Sequence, residues 1–200
     1  MLKLFFATSN AAKVTSVARV LGGYGIEVVR LDVDLPELQA ESAMEIAVGK
    51  VRAAYAIAKS PVMVIDSGFH IDVLGGFPGT NVKWTNKQIG IRGYLDLLWC
   101  YPGAARACAI IDAVAFMDSF HSQPLVLTRR ERGRVAESAR GTPRSAFKSV
   151  LATVFIPEGE SKTLAEMSDE ELAAYRSKPH MEAHLRALAG TLTGSPQSFE

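Results

Sequence analysis

The opening of the chain constrains the fold more than any other stretch. Leu2 to Ala7 is an apolar run of strand length, and Thr8-Ser9-Asn10 breaks it. From Ala11 to Leu21 apolar residues return at Val14, Val17, Ala18 and Leu21, the spacing of one helical face. Gly22-Gly23 ends that helix, and Ile26 to Leu31 reads as a second strand. Ser42 to Lys59 reads as a second helix, with Ser42 and Glu45 spaced as a capping box. Val62 to Ile65 is a third, short strand with Asp66-Ser67-Gly68 at its end. Strands that are apolar throughout belong in a sheet covered on both faces. The alternation with helices therefore predicts an α/β fold.

The remainder extends this frame. Ile71 to Leu74 reads as a further short strand, and Gly75-Gly76-Phe77-Pro78-Gly79 as a turn-rich loop. Ile91 to Tyr101 reads as a helix, and Arg106 to Met117 and Leu125 to Arg134 as two paired strands. Gly141 to Lys148 is a loop, Val150 to Ile156 a strand, Thr163 to Arg176 a helix with Ser168 as N-cap, and Met181 to Ala189 a last helix. The domain is set at residues 1–190, with 191–200 a Gly/Ser/Thr-rich flexible tail. Net charge is +1, so no overall field draws the chain to nucleic acid or acidic membranes. Arg129-Arg130-Glu131-Arg132 is short and interrupted by an acid, which fits a solvated strand edge better than a nucleic-acid surface. Leu4 to Ala7 is too short for a signal peptide or a membrane span, and a cytoplasmic location is the expectation. Cys100 and Cys108 lack metal-ligand spacing and read as core thiols.

In α/β folds ligands gather at the carboxyl ends of strands. Thr8, Ser9, Asn10 and Lys13 stand where a strand feeds a helix N-terminus. That end offers backbone N–H groups and a positive dipole. The segment is either a phosphate cradle without P-loop glycines or an ordinary cap beside a solvated lysine. Asp66 is either an oxygen ligand for a magnesium ion or a turn-forming acid. Glu37, in Asp34-Leu35-Pro36-Glu37-Leu38-Gln39, either faces the same crevice or is solvated, with Asp34 and Glu41 as alternatives. The neighbours of Lys50 do not decide which helix face it occupies. Lys83 is placed equally well on phosphate or in solvent.

Taken in order, these segments resemble the inosine triphosphate pyrophosphatase family. The resemblance rests on Phe6-Ala7-Thr8-Ser9-Asn10 with Lys13, Asp34 to Gln39, Glu45-Ile46-Ala47 with Lys50, Asp66-Ser67-Gly68-Phe69, and Leu74 to Gly79 with Lys83-Trp84. It resumes more thinly at Gly133-Arg134, Arg140-Gly141, Phe155 to Gly159 and Thr163 to Met167. It implies an elongated, twisted mixed β-sheet flanked by helices, two lobes with a central cleft, and a homodimer. It also implies Mg²⁺ and hydrolysis of a nucleoside triphosphate to the monophosphate and diphosphate. Carried over residue by residue, Thr8, Ser9, Asn10 and Lys13 hold the triphosphate. Glu37 and Asp66 serve the metal, and Asp66 also orients or deprotonates water. Ser67 and Gly68 add donors, Lys50 is a catalytic residue, and Lys50 and Lys83 neutralise phosphate charge.

The chain departs from the family pattern in places. The family usually has a second acid just before the Asp of Asp-Ser-Gly, and here that position is Ile65. The family's Phe-Gly-Tyr/Trp-Asp-Pro segment is replaced by Ala146-Phe147-Lys148-Ser149, and its Ser-His-Arg segment by Arg176 to His184. Phe147, Lys178 and His184 are therefore the candidates for base contacts, with His180 and Arg186 beside them. Phosphate-handling segments kept beside altered base-recognition segments imply a non-standard purine (ITP, dITP, XTP) or another modified nucleotide as substrate. A nucleotide-binding protein of the same fold with little catalysis is the alternative.

Overall fold

The computed structural model describes residues 2–36, 38–142 and 149–194. The expected first three strands and two helices are present: β1 (Leu2–Ala7), α1 (Ala11–Gly22), β2 (Ile26–Leu31), α2 (Ala43–Ala58) and β3 (Val62–Ile71). They are followed by β4 (Pro78–Gly79), α3 (Val82–Gln88), α4 (Gly90–Leu97), β5 (Ala107–Met117), β6 (Leu125–Val135), β7 (Phe155–Pro157), α5 (Asp169–Arg176) and α6 (Pro179–Thr193). The strands form one mixed sheet in the order β2-β1-β3-β5-β6-β7, with β4 paired to β3. β1 is parallel to both β2 and β3, while β4 and β7 run antiparallel to their partners.

Several expectations are corrected. The third strand does not stop at Ile65: pairing of Phe69 and His70 with Gly79 and Pro78 carries it to Ile71, so Asp66 lies mid-strand. The strand expected at Ile71 to Leu74 is a 3₁₀ turn at Asp72–Leu74, closed by Gly75 in the left-handed region. Helix α3 was not expected, since VKWTNKQ is short and mostly polar; α4 ends at Leu97, earlier than predicted. Val150–Thr153 is a 3₁₀ turn and only Phe155–Pro157 is strand. The helix expected from Thr163 begins at Asp169, where Ser168 and Glu171 form a full capping box. At α2, by contrast, Ser42 accepts from Met44 N–H rather than from Glu45. The last helix continues past Gly190 to Thr193, and Gly190 is buried.

The chain divides into two compact units. Unit 1 comprises residues 1–66, 112–129 and 179–200, and unit 2 comprises 67–111 and 130–178. Unit 1 has two cores. Leu4, Phe6, Met63, Val114 and Phe116 pack against Val17 and Leu21 of α1 and Leu185 and Leu188 of α6. Ala7, Val62, Val64, Ala113 and Ala115 pack beneath Ala47, Val51 and Ala54 of α2. The small residues let α2 approach the sheet closely. Unit 2 has one core, built from Phe69, Ile71, Tyr94, Leu98, Val135, Val154 and Phe155, with the Phe69 ring edge-on to Tyr94 and Phe155. Cys108 is buried there while Cys100 is exposed, which corrects the expectation for Cys100. Among the described residues no helix is long and apolar enough to cross a membrane.

Candidate active site

The chemistry-bearing residues of unit 1 collect at the carboxyl end of β1 and midway along β3. Register Phe6↔Met63 sets the end of β1 beside Val64, so Thr8 leaves the sheet close to the level of Asp66. The segment after β1 is organised by its own hydrogen bonds. Thr8 Oγ1 accepts from Asn10 N–H at 3.1 Å, and Asn10 Oδ1 accepts from Lys13 N–H at 3.3 Å, capping α1. Arg30 Nε donates to Thr8 O at 3.2 Å from β2. Ser9 is exposed, and Thr8, Asn10 and Lys13 are half-buried. The cap reading and the cradle reading are thus compatible: the cap rigidifies the loop, and the helix terminus still presents its dipole to an anion.

Lys50 lies on the sheet-facing side of α2, since Ala43, Ala47, Lys50 and Ala54 recur at helical spacing and the three alanines are buried. Its Nζ reaches Asp66 Oδ2 at 2.5 Å, with side-chain exposures of 23% and 15%. This pair, which sequence alone left open, is the charged centre of unit 1. Glu37 lies outside the described residues. Its neighbour Leu38 sits where a Cβ on Gly49 would be, its Cδ1 1.9 Å from that position. Leu38 therefore docks on α2 next to Lys50, and the mid-helix glycine is explained by that docking.

In unit 2, Gly68 is buried, and a Cβ there would lie 2.7 Å from His70 Nε2 and 3.2 Å from the Gly79 backbone. Its glycine serves the close approach of β4. Ser67 is half-buried and points to the opposite strand face from Asp66 and Gly68. Lys83 is exposed on α3. Lys178 is held by Glu160 Oε1 at 2.7 Å and lies over the Tyr175 ring at 5.1 Å. Phe147 lies outside the described residues.

His184 belongs to a cluster that the sequence did not announce. It is buried on α6, and its Nδ1 has no hydrogen-bond partner among the described residues. Burial pulls its pKa down to about 4; Asp112 and Glu182 oppose this and Arg129 reinforces it. Arg129 holds Asp112 through two guanidinium nitrogens, Nε at 3.1 Å. Glu182 is gripped by Arg19 and Arg186. Burial acts to raise Glu182, but those two hydrogen bonds outweigh it and lower its pKa. Asp112, Arg129 and Glu182 belong to three separate elements, and only the i,i+4 spacing of Glu182 and Arg186 was a visible signal.

Residues 4–181 match the model of the Ham1 family. A dITP/XTP pyrophosphatase of Methanopyrus kandleri is 38% identical over 170 residues, covering 85% of this chain and 87% of the relative. Inosine triphosphate pyrophosphatase 1 of Trypanosoma cruzi is 37% identical, covering 84% and 83%. Among solved structures, a HAM1 protein from Coxiella burnetii superposes with TM-score 0.79 at 21% identity, covering 97% of this chain and 100% of that one.

Proposed function

This chain belongs to the Ham1 family, and on that premise we propose that it hydrolyses nucleoside triphosphates to the monophosphate and diphosphate, with ITP, dITP and XTP as its substrates. The observation that carries the reading is the Lys50–Asp66 pair midway along β3, beside the capped loop after β1. The relatives named for dITP, XTP and inosine triphosphate support the choice of base.

The residues divide the work by charge. The N-terminus of α1 and Lys13 receive phosphate oxygens, and Lys50 shares its positive charge between Asp66 and the incoming triphosphate. Asp66, fixed mid-strand and largely shielded, orients a water molecule and accepts its proton as the α–β phosphoanhydride is cleaved. A new P–O bond to the water oxygen forms, the bond to the bridging oxygen breaks, and diphosphate leaves. Positioning and charge neutralisation supply most of such a reaction.

A divalent cation fits the donor set. Mg²⁺ takes oxygen ligands and commonly needs only one or two carboxylates besides substrate phosphates. Asp66 is a carboxylate of that kind, and no group of three or more His, Cys, Asp or Glu suited to a metal occurs among the described residues. Asp66 and Glu37 would hold Mg²⁺, which would offset the charge of the departing diphosphate. A homodimer is the assembly in which we expect the enzyme to work.

The test is diphosphate and monophosphate release from a panel of standard and altered triphosphates with Mg²⁺. We expect ITP, dITP or XTP to lead the panel. Asp66→Asn should keep the fold and lose on the order of 10³-fold in kcat/KM. Release of diphosphate from none of the panel, or undiminished turnover by Asp66→Asn, would sink the reading.

A further inference from the structure

Unit 2 contains a groove that no part of the proposed hydrolysis uses. Its volume is about 410 Å³, within the ordinary range of small-molecule sites. Along β6, Glu131, Gly133 and Val135 turn to the core, where a Cβ on Gly133 would meet the Phe155 ring. Alternation then sets Arg130, Arg132 and Arg134 in a row on the opposite face, and all three line the groove. Three exposed guanidiniums in a row on one strand make a local positive stripe.

Their neighbours do not fully supply it. Arg130 Nη2 is 3.9 Å from Asp72 Oδ1, beyond hydrogen-bonding distance, and both side chains are more than half exposed. The register Arg134↔Ile156 brings Glu158 opposite Arg132, where its N–H bonds Arg132 O at 3.0 Å. Glu160 is engaged by Lys178. Arg132 and Arg134 form no ion pair at hydrogen-bonding distance among the described residues. With Glu160 matched, three cations face two carboxylates. Ala107, Ile156 and Pro157 also line the groove, with Ala107 half-buried and Ile156 and Pro157 buried.

We propose that this groove binds a nucleoside 5′-monophosphate, its phosphate on Arg132 and Arg134 and its base toward Ala107. Guanidinium forks suit a phosphate through paired N–H···O bonds. Asp72 and Glu158 accept hydrogen bonds from ribose hydroxyls or an exocyclic amine, so both signs of charge in the lining are used. The choice of a monophosphate rests on the hydrolytic reading, of which it is a product. The site itself stands on the groove.

The test is titration of the full-length chain with inosine and adenosine 5′-monophosphate, followed by backbone amide shifts in ¹⁵N spectra. Neither ligand is hydrolysed in the proposed reaction, so the result does not depend on turnover. We expect Gly133 and Glu158 to shift saturably in the wild type and equally in Lys13→Ala. Arg132→Gln/Arg134→Gln, exposed changes that leave the core intact, should weaken that response about tenfold or more. Raised salt should weaken it further. The proposal is overturned if Gly133 and Glu158 do not respond at millimolar ligand, if shifts are confined to Thr8–Lys13, or if the double variant binds as tightly as the wild type.

Discussion

In unit 1 the buried and half-buried charges meet opposite side chains: Lys50 meets Asp66, Arg129 meets Asp112, and Glu182 meets Arg19 and Arg186. In unit 2 the buried cation Arg106 is met by main chain instead. It donates to the carbonyls of Leu98, Tyr101, Val135 and Ala136 at 2.7 to 3.2 Å. Burial lowers its pKa, and the nearby Glu137 opposes this in part. Backbone carbonyls do not titrate and cannot be drawn away by a ligand. Side-chain pairs can exchange partners when phosphate or protons arrive. The contrast sets exchangeable side-chain pairs in unit 1 against the fixed main-chain cradle of Arg106, which ties the end of α4 to the end of β6.

Three stability measurements break or sharpen that contrast, in falling order of expected effect. Arg106→Met keeps most of the volume and strands buried carbonyls, so it should cost about 3 kcal/mol or more in urea unfolding. A loss under about 1 kcal/mol would show that Arg106 is no keystone. Gly133→Ala adds a Cβ 2.4 Å from Ile156 O, a backbone atom that cannot swing aside. A cost of about 2 kcal/mol is expected in the same assay, and a neutral result would mean β7 yields more readily than its pairing suggests.

The third concerns unit 1 and pH. The folded-state pKa of His184, about 4, lies below its ordinary 6.5. As pH falls, the unfolded chain takes up the proton first. The contribution is therefore full above the unfolded value and is lost as pH falls from about 6.5 towards 4. Urea midpoints for wild type should drop between about pH 7 and pH 5. His184→Leu should flatten this drop. An equal drop in both proteins would place the sensitivity on the neighbouring carboxylates instead.

The two units also differ in how much of them could be read in advance. Unit 1 was legible because its first strands are continuous apolar runs and its helices carry clear stripes and caps. Thr8, Asn10, Lys13 and Asp66 stand out as candidates for the same reason: they follow directly on those runs. Unit 2 was misread at Asp72–Leu74, Val82–Gln88 and Val150–Thr153. These are segments of three to seven residues. Over so short a span apolar residues have no measurable period, so packing rather than pattern chooses between turn, strand and helix.

The sequence by itself determined the α/β alternation, the order of the polar segments and the residue types of the candidate phosphate site, since these depend on local period and composition. Tertiary structure alone decided that Lys50 faces Asp66, that Asp112, Arg129, Glu182 and His184 share one cluster, and that three arginines of β6 line a groove with Asp72 and Glu158. Each of those outcomes joins residues far apart in the chain. Their distances are set by sheet order, register and helix docking, and no local pattern encodes these.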